Sequence, residues 1–178
     1  MIFGRFPQFS FRICKNQDLP ILAKISRENM AHIVRSAWGI EWKDEFLLDT
    51  LLDHDAYTEI LEIDGEIVGY FCIFIDKSRV FIASIQVARH YRHCGCGSAM
   101  IKRIETIASC SGCERIELWV QVNNENAIGF YEHMGFKIVA RQRNNLLMRK
   151  YVKQHGRSKL FKGSLQNNGR MLDGRTLA

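Results

Sequence analysis

Phe9-Ser10-Phe11-Arg12-Ile13 alternates apolar and polar side chains, the two-residue period of a half-buried strand. The period then changes. After Asp18-Leu19-Pro20, Leu22, Ile25, Asn29, His32 and Ile33 mark one face at helical spacing. A helix is therefore predicted from Asp18, its expected N-cap, to the break at Trp38-Gly39. A second helix is predicted over 43–53, with Phe46, Leu47, Thr50 and Leu51 as the buried stripe. Strand patterns follow at 57–63 and 67–75, joined by the tight-turn pair Asp64-Gly65. A third strand is predicted over 80–87. A helix over 98–109 repeats Met100, Ile101, Ile104, Ile107 and Ala108 on one face. A strand at 115–122, a helix from Asn124 to Gly135 and a closing pair at 136–141 and 146–150 complete the pattern. The order β-α-α-β-β-β-α-β-α-β-β implies an α+β fold with one parallel crossover.

A chain of 178 residues suits one domain with a core, and no apolar run approaches the length of a bilayer span. Residues 1–8 read as a ragged N-terminus without a signal-peptide pattern, 9–150 as the domain and 151–178 as a loose tail. The net charge of +6 sits mostly in that tail, where Lys153, Arg157, Lys159, Lys162, Arg170 and Arg175 face Asp173 alone. Such a tail offers a contact to nucleic acid or anionic surfaces, but a solvated end is the plainer reading, and neither nucleic acid nor membrane is an expected partner. The six cysteines follow no disulfide pattern. Cys110-Ser111-Gly112-Cys113 is a lone pair without further ligands at metal spacing, so free thiols in a reducing cytoplasm and no metal are expected.

The chemistry concentrates after residue 85. Ile85-Gln86-Val87 ends a strand, and Tyr91-Arg92-His93-Cys94-Gly95-Cys96-Gly97-Ser98 turns into an amphipathic helix. Glycines there let the backbone approach a ligand and present successive N–H groups. The helix N-terminus adds unpaired donors and partial positive charge, and Arg92 adds a cation, a combination suited to a pyrophosphate. A Walker A loop is absent, and the third glycine or alanine of a dinucleotide fingerprint is not at its spacing.

The spacing Arg92-x-x-Gly95-x-Gly97 resembles the coenzyme A pyrophosphate loop of the GNAT superfamily of N-acetyltransferases. A second block, from Asn124-Glu125-Asn126-Ala127 through Tyr131 to Gly135-Phe136, resembles the Asn-x-x-Ala-x-x-hydrophobic-Tyr-x-x-x-Gly-Phe segment of the same superfamily. The likeness covers about residues 9–150 and is strongest over 80–136. It implies a mostly antiparallel sheet of six or seven strands, helices on both faces and a central parallel pair, 80–87 and 115–122, that splays apart. It further implies acetyl-CoA as co-substrate and direct acetyl transfer to a primary amine, small or peptidic, in a ternary complex. By the same resemblance, Ile85, Gln86, Val87, Arg92, His93, Cys94, Gly95, Cys96, Gly97, Ser98, Asn124 and Tyr131 would hold the coenzyme, and the N–H of Val87 would polarise the thioester carbonyl. Tyr131 falls where the family places the general acid.

The base is less defined. One branch of the family, the alanine-specific protein N-acetyltransferases, carries Glu where this chain has Trp119. Other members place an acid on the strand where this chain has Ser84 and Gln86. Glu117, on the same sheet face as Trp119, could act through water or be a solvent-side strand residue, and Glu59 and Glu62 on the hairpin are lesser candidates. The connection between the first two helices lines the family's acceptor groove. Here Trp38, Trp42 and Glu45, with Glu41 and Asp44, offer cation–π and ion-pair contacts to a cationic acceptor or simply anchor the loop. A monomer or homodimer is expected. The reading from a different class is a non-catalytic sensor that binds acyl-CoA.

Overall fold

The computed structural model describes residues 8–153. The basic tail falls almost entirely outside them. One seven-stranded sheet runs in the order β1-β2-β3-β4-β5-β7-β6. Its strands are β1 (Phe9–Ile13), β2 (Ala56–Ile63), β3 (Glu66–Asp76), β4 (Arg79–Val87), β5 (Arg115–Gln121), β6 (Lys137–Gln142) and β7 (Asn145–Tyr151). The helices are α1 (Leu19–Trp38), α2 (Asp44–Leu51), α3 (Cys96–Cys110) and α4 (Glu125–His133). All neighbouring strands pair antiparallel except β4 and β5. The α+β architecture implied by the order of elements is the one observed.

Each face of the sheet has its own core. On one face, Met100, Ile101 and Ile104 of α3 and Tyr131 of α4 pack with Val80, Ile82, Ile116, Leu118 and Phe136. On the other, Leu22 and Ala23 of α1 and Leu47 and Leu51 of α2 pack with Ile60, Tyr70, Phe81 and Ala83. Alternation along β4 and β5 sends successive side chains to opposite cores. The fully buried Tyr70 hydroxyl is held between Ser26 of α1 at 2.5 Å and Ser84 of β4 at 3.0 Å. That bridge fixes α1 over the middle of β4.

Some local expectations change. Asp18 flanks α1 but its carboxylate caps nothing in that helix; it accepts from the Lys15 N–H at 2.8 Å and from Arg12 at 2.7 and 3.0 Å. The competing guanidinium takes the oxygens that a cap would use. The buried stripe of α1 is Leu22, Ala23, Ile25, Ser26, Met30 and Val34. His32 is exposed and Asn29 half-buried, because the helix turns its far end toward a polar edge. Phe46 is exposed, since α2 is only eight residues long and rests on Leu47 and Leu51. Helix α3 begins at Cys96, two residues before the predicted start, which tightens the preceding turn.

Candidate active site

The parallel ladder between β4 and β5 is short. It pairs Arg79 with Arg115, Val80 with Ile116, Phe81 with Glu117 and Ile82 with Leu118, and then stops. At that point β4 carries an extra residue. Ser84 faces Cys72 and Ile82 faces Ile73, leaving Ala83 without a partner on β3. A bulge of this kind raises the local twist and turns a strand away from its neighbour. The expected splay is therefore present, with its bulge.

The open edge can be followed atom by atom. The Ala88 N–H donates to Val68 O of β3 at 2.8 Å. Strand alternation then points the N–H and C=O of Val87 away from β3, to the side β5 has left. The Val87 carbonyl there accepts from Asn29 Nδ2 at 2.9 Å. The same Nδ2 donates to Gln86 Oε1 at 3.0 Å, and Asn29 Oδ1 accepts from Arg92 at 2.5 Å. Asn29 thus ties α1 to the end of β4 and steers the arginine at the rim of the glycine turn. Asn29 shares a helical face with Leu22, Ile25, His32 and Ile33, and a carboxamide among those mainly apolar residues is the sign in the sequence of a task other than packing.

Beyond Val87 the chain makes one 3₁₀ turn, Arg89–Tyr91, and enters α3 through Gly95. His93 and Gly95 both have left-handed backbone, φ 62° and 82°. A Cβ on Gly95 would meet nothing within 4 Å, so the residue is required by its dihedral angle and the space beside it is open. Gly97 is required for the opposite reason. A Cβ there would lie 3.0 Å and 3.2 Å from the ring of Phe130, so α3 and α4 touch at this glycine. The N–H groups of Cys96, Gly97 and Ser98 are first-turn donors without an intrahelical acceptor. An open cradle, free N–H donors and an adjacent guanidinium fit a diphosphate.

Helix α4 brings the second block to the same place. Asn124 caps it, Oδ1 accepting from the Ala127 N–H at 3.4 Å. Tyr131 lies in the core shared with α3, 5.3 Å from the Phe130 ring centroid and 5.6 Å from that of Phe136. It is 3% exposed, and its hydroxyl has no hydrogen-bond partner among the described residues. Burial pushes that hydroxyl well above the ordinary tyrosine value.

Glu117 is not brought to Tyr131. It lies on the other face of β5 inside a cluster of three arginines, Arg79 at 3.0 Å, Arg115 at 3.3 Å and Arg149 at 2.6 Å. Burial alone would raise its pKa; hydrogen bonds from Arg79 and Arg149 and the guanidinium charges outweigh it and lower it. A carboxylate held this way is a poor proton acceptor.

The α1–α2 connection is also more tied down than expected. Trp42 donates Nε1–H to Asp44 at 2.7 Å, Asp44 pairs with Arg27, and Glu41 pairs with Arg35 at 3.4 Å. Trp38 and Glu45 remain exposed at the connection.

Residues 23–136 match the family model described as the acetyltransferase (GNAT) family. The chain belongs to that family. It is 29% identical over 110 residues to N-alpha-acetyltransferase 50 of Danio rerio, covering 59% of this chain and 65% of that protein. It is 34% identical over 121 residues to an uncharacterized N-acetyltransferase of Methanocaldococcus jannaschii, covering 66% and 78% of the two chains. The chain thus spans just under two thirds of the zebrafish relative. Among solved structures, the PaiA N-acetyltransferase of Thermoplasma acidophilum, in complex with coenzyme A, superposes with a TM-score of 0.65. That match has 17% identity and covers 81% of this chain and 99% of the other, a likeness of fold.

Proposed function

We propose that this protein is an N-acetyltransferase, moving the acetyl group of acetyl-CoA directly to a primary amine while both are bound. One observation carries the reading. The β4–β5 ladder ends at Ile82 and Leu118, and the edge it leaves leads into the glycine turn and helix N-terminus, with the unpartnered Tyr131 hydroxyl from α4 in the adjoining core. Two of the curated relatives are named N-alpha-acetyltransferases, which makes peptide α-amines the first acceptors to test.

Acetyl-CoA supplies an activated thioester, and the chain's part is to bind, orient and manage protons. The N–H groups of His93 through Ser98, with Arg92, hold the pyrophosphate; Asn124 and the Ile85–Val87 edge hold the arm. The Val87 N–H donates to the thioester oxygen, where charge grows during attack. Tyr131 keeps its proton throughout the physiological range and donates a hydrogen bond to the departing sulfur. Complete transfer from so weak an acid to a thiolate of pKa about 8.5 is uphill. The hydrogen bond is therefore its contribution, and the sulfur's proton comes from the attacking amine.

The test is calorimetric titration with acetyl-CoA followed by thiol release with an amine and peptide panel. Binding and acceptor-dependent release are expected. Binding without release for any acceptor would leave a sensor, and no binding would end the family-based reading of function.

A further inference from the structure

Every polar atom of the Asn29 carboxamide is committed. Nδ2 carries two protons, and its bonds run to Gln86 Oε1 at 3.0 Å and to the Val87 carbonyl at 2.9 Å. Oδ1 accepts from Arg92 at 2.5 Å. The partners fix which end is which, because a carbonyl only accepts and a guanidinium only donates. Gln86 is 5% exposed and Asn29 half-buried, so water competes little for the two bonds to β4.

These bonds fall where β4 has lost a neighbour. Its pairing with β5 stops at Ile82 and Leu118, while β3 still holds the strand end through the Ala88 N–H to Val68 O at 2.8 Å. Held from β3 alone, the end of β4 keeps a twisting freedom that a second ladder would remove. Asn29 stands in for that ladder. Gln86 and Val87 are the two residues joined by the peptide unit that carries the Val87 N–H, and Asn29 grips both. An oxyanion donor works through its aim, and a misplacement of about 1 Å can lower a rate about a hundredfold. The same helix is tied to the 3₁₀ turn a second time, by Arg89 donating to the Glu28 carbonyl, a bond that does not involve β4.

We propose that Asn29 is a positioning residue for acetyl transfer, setting with one carboxamide both the Val87 peptide group at the thioester and Arg92 at the pyrophosphate. The inference rests on the acetyltransferase reading and adds to it a residue outside both motif blocks. The two ends act at different steps. The aim of Val87 is felt in the chemical step, after the coenzyme is bound; the aim of Arg92 is felt in capturing it. Aspartate has the shape of asparagine but no protons for the two acceptors, and leucine has the shape but no polar atom.

The experiment uses the full chain, calorimetric titration with acetyl-CoA, and thiol release at saturating acetyl-CoA. The acceptors are unblocked hexapeptides, N-blocked hexapeptides containing one lysine, and spermidine, and each variant is read with the one fastest for wild type. Asn29→Leu should lower kcat at least about tenfold and raise the Kd for acetyl-CoA about fivefold. In an Arg92→Leu background, adding Asn29→Leu should take away no further acetyl-CoA affinity yet still lower kcat at least about tenfold. Asn29→Asp keeps the acceptor for Arg92 and loses both donors, so its kcat should fall at least as far. Arg89→Leu loosens the same helix from the same turn and should leave kcat within about twofold. If Asn29→Leu fails to fold, Asn29→Ser, too short for the three partners, is read in its place. Unchanged kcat in the folded Asn29 variants, or an equal loss of kcat in Arg89→Leu, overturns the positioning role. A wild type that binds no acetyl-CoA, or releases no thiol with any acceptor, overturns the acetyltransferase reading and this inference with it.

Discussion

Replacing Glu117 by Gln separates two roles for the most heavily paired acid in the site region. The substitution keeps shape and removes the charge that three guanidinium groups share at 2.6–3.3 Å. Breaking a fully buried ion pair by removing one partner costs about 3–5 kcal/mol. Here Glu117 is 2% exposed, but the side chains of Arg79, Arg115 and Arg149 are 35%, 28% and 29% exposed, so water takes up part of the uncompensated charge. The discounted cost is about 2–3 kcal/mol. In a domain of this size each kcal/mol lowers the melting temperature by about 2–4 °C, so a fall of roughly 4–12 °C is expected. The pH dependence has a defined sign. The folded carboxylate has a lowered pKa, so its stabilisation is complete above the unfolded value, about 4.3, and fades as pH falls through the folded one. The gap between wild type and variant should therefore close below about pH 4. The assay is thermal unfolding over pH beside steady-state acetylation at a temperature where both proteins are folded. Turnover should be nearly unchanged. A large loss of turnover with an unchanged melting temperature would refute the structural assignment and return Glu117 to the role of base.

Tyr131→Phe removes a hydroxyl that has no partner among the described residues, so stability should hold within about 0.5 kcal/mol while kcat falls about a hundredfold. Equal kcat would remove Tyr131 from the chemistry. Gly95→Glu puts a side chain and a negative charge into left-handed backbone beside the open cradle, and calorimetry should find acetyl-CoA affinity at least about tenfold weaker. Gly97→Ala forces a Cβ to within 3.0 Å of Phe130 and should destabilise by about 1–3 kcal/mol. Phe130→Leu should recover part of that loss in a double-mutant cycle, and simple additivity would show that the contact is not the cause.

Much of this protein is local and was therefore legible along the chain. Strand and helix periods, the break at Gly39, the hairpin at Asp64-Gly65 and the two glycines before α3 are short-range properties of backbone and side chain. So is the placing of Asn124 and Tyr131 on one helix after a strand. Their order and spacing sufficed for the fold class. What the chain could not reveal depends on which partner a side chain meets. Asn29, Phe46 and His32 all carry helical spacing, yet whether that face is covered depends on the length of α2 and on where the Tyr70 bridge holds α1. Glu117 keeps the same letter whether it faces an amine or three arginines, and those come from positions 79, 115 and 149. Gln121 and Asn145 lie 24 positions apart and meet only because β7 inserts between β5 and β6. Periodicity records whether a residue is turned inward; the charge, hydrogen bonding and acidity it finds there belong to the assembled sheet.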